Sequence, residues 1–260
     1  MTRYRAVLAY DGERFQGFQR QADGIPTIQG AVESAIRSVT GCSVTAIGAG
    51  RTDTGVHATG QVIAFDLSTD EWRHGADALM RAINVALPGD IVFQSLVSLP
   101  EGSSFHPRFD AQARIYKYHV VSAAERIPSL HRFAWQVRVP LDANALDAAA
   151  NLMIGTHDFG AFGKPPHGDN AVRTIFHSYW ERAAMPESAG AVSWRYTIEG
   201  DAFLYHMVRR LVGYMVDVAS GNKSLAQLDR VFRGAQLVSN WTIAPPHALT
   251  LVQVKYNSSS

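Results

Sequence analysis

Apolar and polar residues alternate along the segment from Arg3 to Tyr10, and this period of two predicts a β-strand. The apolar residues of 28–39 instead recur at the spacing of a helix, and Gly41 follows as a C-terminal stop. Two strands at 44–47 and 62–65, a helix at 72–87 and a strand at 91–97 complete this half of the chain. The resulting order, β-α-β-β-α-β, is that of a ferredoxin-like fold.

The second half of the chain repeats this order of elements, without sequence identity to the first half. Its predicted strands are 113–121, 132–137, 172–182, 192–199 and 248–256, and its predicted helices are 142–154, 205–219 and 225–232. A long exposed loop is expected at 162–170, where Gly and Pro are frequent. We therefore expect an α+β protein with an N-terminal half at 1–110, a C-terminal half at 111–257 and a tail at 258–260. Two such halves side by side would form an extended, mostly antiparallel sheet with helices on one face and a cleft across the other.

The segment between the strands at 44–47 and 62–65 is the strongest candidate for a functional site. It reads Gly48-Ala49-Gly50-Arg51-Thr52-Asp53-Thr54-Gly55-Val56-His57. Its three glycines permit backbone angles closed to other residues and the close approach of a ligand. A surface hairpin whose Asp and Thr hydrogen-bond their own backbone is the alternative, but a tight hairpin needs only about two to five loop residues. We therefore predict that Asp53 is a functional carboxylate, with Arg51 beside it.

Composition narrows the classes of protein. Although 47% of the residues are apolar, no run reaches the length of a transmembrane helix and the N-terminus lacks a signal-peptide pattern, so we expect a cytoplasmic protein without membrane contact. The single cysteine, Cys42, excludes an internal disulfide and a multi-cysteine zinc site. The histidines lack metal-ligand spacing, and the glycines near 48 match neither a dinucleotide fingerprint nor a P-loop. We expect no metal and no cofactor.

The net charge of +1 identifies no partner. However, the basic residues are 20 Arg and only 4 Lys. Arginine binds phosphate through two hydrogen bonds and stacks on bases, so this excess suits an RNA partner, and a codon bias would produce the same excess. A cationic segment, Phe105-His106-Pro107-Arg108-Phe109, is compatible with phosphate contact and equally with an ordinary turn whose two phenylalanines pack.

Two further segments carry side chains suited to chemistry. On the first strand of the second half, Arg114, Tyr116 and Tyr118 share one face, which suits base stacking, although tyrosines without a function also occur in sheets. On the long helix of the second half, Arg209 borders the apolar stripe and Arg210 points nearly opposite it. A buried Arg209 should pair with an acid, and any Asp or Glu could be that acid. The stripe consists of Val208, Leu211, Val212 and Met215.

Asp53-Thr54-Gly55 is also the tripeptide of aspartic proteases, in which two such carboxylates share a proton. The chain has no second Asp-Thr-Gly or Asp-Ser-Gly, so a dimer would have to supply it. The neighbouring cation Arg51 opposes a shared proton because it favours the charged carboxylate. An aspartic-protease-like dimer is therefore the less favoured alternative.

Collinear motifs extend along nearly the whole chain. In order they are Tyr10-Asp11-Gly12, Gly17-Phe18-Gln19-Arg20-Gln21, Ala49-Gly50-Arg51-Thr52-Asp53-x-Gly55-Val56-His57-Ala58, Asn84 with Leu87-Pro88-x-Asp90-Ile91, Phe105-His106-x-Arg108-Phe109, Tyr116-x-Tyr118, Asp158-Phe159-x-x-Phe162, Arg173-Thr174-Ile175, Phe203-x-x-x-Met207-Val208-Arg209 and Ala244-Pro245-Pro246-x-Ala248-Leu249. With these motifs the chain resembles the tRNA pseudouridine synthase A family. Phe18 stands where tryptophan is usual and Ala248 where glycine is common, and neither position touches the expected chemistry.

The resemblance implies the pseudouridine synthase fold and a homodimer that isomerises uridine to pseudouridine in the anticodon arm of tRNA, without cofactor or metal. The cleft would then hold RNA. By position, the resemblance implies that Asp53 is the nucleophile, that Arg209 pairs with it and that Tyr116 stacks on the uracil. It further implies that Leu249 packs in the pocket and that Arg51 helps to displace the target nucleotide. A tRNA-binding module without catalysis is the alternative from a different class, and the intact Asp53 loop argues against it.

Overall fold

The computed structural model of the chain describes residues 1–68, 72–165, 168–185, 187–188, 190–232 and 242–257, and the tail predicted at 258–260 lies outside them. The strands are β1 (Thr2–Tyr10), β2 (Ile47–Gly48), β3 (His57–Leu67), β4 (Ile91–Ser98), β5 (Ala111–Ser122), β6 (Trp135–Val137), β7 (Gly155–Asp158), β8 (Val172–Ala184), β9 (Val192–Gly200) and β10 (Leu249–Tyr256). The helices are α1 (Ile28–Thr40), α2 (Gly75–Ala86), α3 (Ala143–Asn151), α4 (Met207–Ala219) and α5 (Leu225–Phe232). The α+β class predicted from the sequence is confirmed, and β7 is an element that the sequence pattern did not reveal.

The chain forms two compact units, one of Met1–Gln112 with the last strand from Thr250, and one of Ala113–Leu249. In the first unit the strands lie in the order β4-β1-β3, and β1 is antiparallel to both neighbours. Two strands share the outer edge of β3. The antiparallel strand β2 pairs near the C-terminal end of β3, through Ile47 and Ala64. The parallel strand β10 pairs at the beginning of β3, through Thr250 and His57. The connection from β2 to β3 therefore runs back along β3 and carries Asp53. The division into halves at 110 and 111 stays a prediction.

Helix α1 shows why the sequence pattern succeeds in the first unit. The hydroxyl of Thr27 accepts a hydrogen bond from the amide of Gly30 and caps the N-terminus. Gly41 has a φ of 77° and ends the helix in the left-handed conformation that glycine adopts without strain. The predicted apolar stripe is buried except at its C-terminal end, where Val39 is only half-buried. Its buried members are Ile28, Val32, Ala35 and Ile36.

In the second unit the strands lie in the order β5-β9-β8-β7, and the short β6 is parallel to β5. Helix α4 begins at Met207, two residues later than predicted, because His206 has a φ of 62°. This left-handed backbone interrupts helical hydrogen bonding. The loop expected to be exposed from residue 162 begins with Phe162 fully buried, and its residues 166–167 lie outside the described part of the chain.

Candidate active site

Asp53 lies on the connection between β2 and β3, at the surface of the first unit. The amide of Ala49 donates to the carbonyl of Val62 at 2.8 Å and extends the pairing of β2 with β3 by one residue. Beyond this point the chain leaves the sheet: Arg51 is exposed, Thr52 is buried and Asp53 is half-buried. The amide of Val56 donates to the carbonyl of Asp53 at 3.1 Å and closes a turn around the carboxylate residue. A half-buried carboxylate on an anchored loop is accessible to a ligand and restricted in orientation.

The three glycines of this loop were all expected to permit backbone angles closed to other residues, but their roles differ. Only Gly55 has a positive φ, of 78°, so only Gly55 needs a backbone angle closed to other residues. Gly48 instead packs against Phe18, and a Cβ at Gly48 would lie 2.5 Å from a carbon of that ring. Gly50 has an ordinary φ, and a Cβ added there would meet no atom of the described residues within 4 Å. The expectation of special backbone angles at Gly48 and Gly50 is therefore wrong.

The segment that follows β1 packs directly against the Asp53 loop. Gly12 approaches Val56 so closely that a Cβ would lie 2.1 Å from the Val56 carbonyl oxygen. The amide of Gly12 lies 3.1 Å from Nδ1 of the buried His57, and Oδ1 of Asp11 lies at the same distance from that nitrogen. The Tyr10-Asp11-Gly12 motif thus buttresses the end of the loop. Sequence reasoning identified this motif but assigned it no role.

Arg51 is oriented by a series of side chains that leads back into α1. Its Nε donates to Oε1 of Gln19 at 3.1 Å, and Nε2 of Gln19 donates to Oε1 of Gln29 at 2.6 Å. Nε2 of Gln29 in turn donates to Glu33 at 2.8 Å. Because an ionised carboxylate only accepts, Glu33 determines the direction of both amides, and Gln19 presents its oxygen to Arg51. The buried Glu33 also binds Arg20 and the amide of Ala46.

Tyr116 lies in the second unit, on β5, and is 9% exposed. Its ring meets Phe203 edge-on, with the centroids 5.2 Å apart. Alternation along β5 puts Tyr116 on the same face as Tyr118, which is opposite Tyr196 on β9. Tyr196 stacks on Trp180, whose Nε1 donates to Sδ of Met215 on α4. Tyr116 therefore lies on the face of this unit against which α4 packs.

Arg209 is half-buried in the first turn of α4 and is bound to the segment that leads to β10. Its Nε donates to the carbonyl of Ala244 at 2.8 Å, and the amide of Ala244 donates back to the carbonyl of Arg209 at 3.1 Å. The stripe predicted for this helix is buried along its whole length. Arg210, which was predicted to point nearly opposite the stripe, is half-buried, and its Nη1 donates to the carbonyl of Phe162 at 3.1 Å. The pairing of Arg209 with Asp53 stays a prediction.

Leu249 is 5% exposed and follows a short 3₁₀ turn at Pro246–Ala248. The hydroxyl of Tyr118 donates to the carbonyl of Pro245 at 2.7 Å, just before this turn. Burial raises the pKa of Tyr118 well above its ordinary value, against the opposing charge of Arg209, so its hydroxyl stays a donor at neutral pH. Within the second unit, β5, α4 and the segment before Leu249 are thus joined by hydrogen bonds from Tyr118 and Arg209.

The cationic segment 105–109 does not behave as a turn with two packed phenylalanines. Phe105 is buried and packs against Tyr256. Phe109 is 76% exposed, its ring stacks on that of His106, and the guanidinium of Arg108 lies over it at 6.0 Å from the centroid. In the described ranges, no group of three His, Cys, Asp or Glu side chains could hold a metal ion. No helix in the same ranges is both long and apolar enough to cross a membrane.

Comparison with known proteins gives consistent matches over most of the chain. The model of a family described as tRNA pseudouridine synthase matches residues 6–110 and 149–257, which include Arg51, Asp53, Arg209 and Leu249 but not Tyr116. A protein named tRNA pseudouridine synthase A from Brevibacillus brevis is 38% identical, over 98% of this chain and 100% of the relative. A protein of the same name from Pseudothermotoga lettingae is 37% identical, over 98% of this chain and 100% of the relative. Another from Neisseria meningitidis serogroup C is 41% identical, over 86% of this chain and 80% of the relative. A solved structure of an unknown protein from Galdieria sulphuraria covers 90% of this chain and 95% of that chain at 13% identity, with a TM-score of 0.25, which is too weak a likeness to support an argument.

Proposed function

The chain belongs to the tRNA pseudouridine synthase family, and from this premise we propose that its target is a uridine in the anticodon arm of tRNA. Its reaction is the isomerisation of uridine to pseudouridine in tRNA, so it is an isomerase. The observation that carries the proposal is the family match over residues 6–110 and 149–257, which include the anchored loop of Asp53. The likeness to aspartic proteases is confined to three residues and is not favoured.

We propose that Asp53 starts the reaction at the ribose. The isomerisation exchanges the N1–C1′ bond for a C5–C1′ bond; the proton of C5 is released and N1 gains one. The carboxylate of Asp53 breaks the first bond either by attack on C1′, with uracil as the leaving group, or by removal of a proton from C2′ beside it. A substrate with deuterium at C2′ distinguishes these routes, because only proton removal gives a primary isotope effect.

The second unit supplies the groups proposed to hold the detached base. Tyr116 stacks on the uracil, and the apolar side chain of Leu249 packs beside it, so that the base turns without escaping. Arg209 pairs with Asp53 and keeps it ionised where water is excluded. The two hydrogen bonds between Arg209 and Ala244, which form a clamp, support this role, because they restrict the guanidinium to a small range of positions.

A base within a stacked stem is out of reach, so the target nucleotide has to leave the stack, at a free-energy cost of a few kcal/mol. We propose that Arg51 fills the space that the nucleotide vacates. Its exposure, together with the hydrogen bond from its Nε to Gln19, supports a side chain held ready outside the loop. Because the product is an isomer of the substrate, the reaction as proposed consumes no cofactor.

Release of tritium from tRNA labelled at C5 of uridine tests the proposal. We expect Asp53→Asn to release no tritium above background while its Kd for tRNA stays within about threefold of the wild-type value, because the amide keeps the shape of the side chain but is no nucleophile. Asp77→Asn, at an exposed carboxylate in the first turn of α2, is the control and should react like the wild type. Turnover by Asp53→Asn would remove Asp53 from its role. Binding of tRNA by the wild type without turnover would indicate a non-catalytic module.

We also propose that the active form is a homodimer in the cytoplasm. Sedimentation equilibrium should then give a mass of about 57 kDa, twice the 28.4 kDa of one chain. A mass of one chain at concentrations that support full activity would contradict the dimer.

A further inference from the structure

Three polar side chains lie beneath the Asp53 loop, inside the first unit. Tyr10 is at the end of β1, Thr52 is in the loop and Gln61 is in the middle of β3; all three are buried, and Gln61 has no exposed surface. The hydroxyl oxygens of Tyr10 and Thr52 are 2.8 Å apart. Nε2 of Gln61 donates to the carbonyl of Gly50 at 2.9 Å and more weakly to the hydroxyl of Tyr10 at 3.4 Å.

The direction of these hydrogen bonds follows from the chemistry of the groups. The carbonyl of Gly50 needs a donor, so it fixes which end of the Gln61 amide faces it. Because the Tyr10 oxygen accepts from Gln61, its own proton is available for Thr52. Burial raises the pKa of Tyr10 to about 12, so the hydroxyl remains protonated over the working pH range. Tyr10 and Gln61 thereby restrain the residues on both sides of Arg51.

Thr52 is restrained through its backbone as well. The amide of Phe18 donates to the Thr52 carbonyl at 3.1 Å. Gly17, with a φ of 87°, brings its backbone so near that a Cβ would lie 2.9 Å from the same carbonyl oxygen. The peptide that links Thr52 to Asp53 is therefore held by its oxygen, while the Thr52 side chain is held by Tyr10. Rotation of this peptide would turn the Asp53 carboxylate away from its observed direction.

Stability alone does not account for Gln61. Its Oε1 is buried and has no hydrogen-bond partner among the residues that the structure describes. A buried carbonyl oxygen without a partner destabilises the folded state. An apolar side chain of similar size would avoid this loss, but it would also remove the donor to the carbonyl of Gly50. The amide is therefore explained better by what its nitrogen does for Gly50 and Tyr10.

We propose that Tyr10 and Gln61 are positioning residues that hold the segment from Gly50 to Asp53, so that the carboxylate meets the ribose in one orientation. They act through Thr52 and do not touch the substrate. The inference rests on the proposed function of Asp53, and it adds residues to which no role in the reaction was assigned.

Single-turnover kinetics with excess enzyme on C5-tritiated tRNA test this inference in Tyr10→Phe and Gln61→Met. The rate constant should fall about tenfold or more, because small misplacements of a reacting group have large effects on rate. The reaction amplitude and the Kd for tRNA should stay within about twofold of the wild-type values, since the groups that bind the substrate are unchanged. A merely structural role would instead lower the amplitude, as fewer molecules fold, and leave the rate constant unchanged.

Tyr196→Phe is the matched control. Tyr196 is fully buried in the second unit, and its hydroxyl lies 2.8 Å from the hydroxyl of Ser178, as in the pair of Tyr10 and Thr52. Its rate constant should equal that of the wild type. Thr52→Ser keeps the hydroxyl as an acceptor and should retain most of the wild-type rate constant. Thr52→Val should lower the rate constant as much as Tyr10→Phe does. The double variant with Tyr10→Phe and Thr52→Val should lower it no more than either single substitution.

Hydrogen exchange of peptides that cover residues 49–56 provides a readout without turnover. Tyr10→Phe should speed exchange in these peptides and leave the second unit unchanged. A Tyr10→Phe rate constant equal to that of Tyr196→Phe, or exchange that is unaltered in the loop, would overturn the inference. An inactive wild-type protein would instead contradict the proposed function, and the exchange data would still decide whether Tyr10 restrains the loop.

Discussion

Replacement of Gly213 by alanine should destabilise the protein, although the same change stabilises most helices. Gly213 lies within α4, where alanine normally gains about 1 kcal/mol over glycine. A Cβ at this position, however, would lie 1.9 Å from the carbonyl oxygen of Thr242 and 3.3 Å from the amide nitrogen of Ala244. Real Cβ atoms stay at least 3.0 Å from such atoms, so the segment has to move by about 1.1 Å.

The hydrogen bonds that this movement breaks give the magnitude. Arg209, one turn earlier on α4, exchanges two hydrogen bonds with Ala244, at 2.8 and 3.1 Å. Each partly buried bond contributes about 1.5 kcal/mol, so their loss outweighs the helical gain and leaves a net destabilisation of about 2 kcal/mol. With an m-value of about 3 kcal/mol/M for a chain of this size, the urea midpoint should fall by roughly 0.7 M.

Urea unfolding followed by tryptophan fluorescence measures this shift. Gly50→Ala is the control, because no atom in the described part of the chain lies within 4 Å of its added Cβ and its φ is ordinary. Its midpoint should equal or slightly exceed that of the wild type, since alanine restricts the unfolded chain. A Gly213→Ala protein as stable as the wild type would refute the argument that α4 and the segment at Thr242 are held in rigid contact. Turnover by this variant should also fall, because Arg209 loses its clamp.

Three further predictions concern the second unit. Arg209→Met should lower the single-turnover rate constant more than tenfold, whereas Arg210→Met, which removes a hydrogen bond to the carbonyl of Phe162, should mainly lower stability. Equal effects of the two substitutions on the rate constant would contradict the pairing of Arg209 with Asp53. Tyr116→Phe should leave the slope of log Kd against log salt concentration unchanged, because the ring carries no charge. If the hydroxyl transfers the C5 proton, this variant should bind tRNA normally but form little pseudouridine. A single-turnover rate constant equal to that of the wild type would leave Tyr116 as a stacking platform only. Burial and the nearby Arg195 lower the pKa of His119 below the value of 6.5 that it has in the unfolded chain. As the pH drops below 6.5, His119 therefore binds a proton more readily in the unfolded chain than in the folded chain. The free energy of unfolding should consequently fall as the pH drops from 7 to 5. His119→Gln should show a smaller fall in urea midpoint over this range, and an identical pH dependence would refute the assignment.

Elements whose apolar residues follow one period over several turns could be predicted from the chain alone. Helix α5 was predicted with its observed bounds, and α1 within one residue at its end, because stripe and caps are local features. The site loop was recognisable for the same reason: glycines and charged residues interrupt two apolar segments. Short elements were predicted poorly. The strand expected at 44–47 is only Ile47–Gly48 in the structure, where it pairs with Ala64 and Ile63 of β3.

The groups that hold the chemistry in place come together only in the folded chain. Gln61 is one polar residue in an apolar strand, and its neighbours in sequence give no indication that its amide meets Gly50 and Tyr10, the latter 51 positions away. Helical geometry predicts that Arg210 points nearly opposite the apolar stripe, but it gives no indication that the carbonyl of Phe162, 48 positions away in sequence, accepts a hydrogen bond from Arg210. Local periodicity is encoded by neighbouring residues and therefore can be read along the chain. Hydrogen bonds between distant segments depend on strand register and close packing, which arise only when the chain is folded.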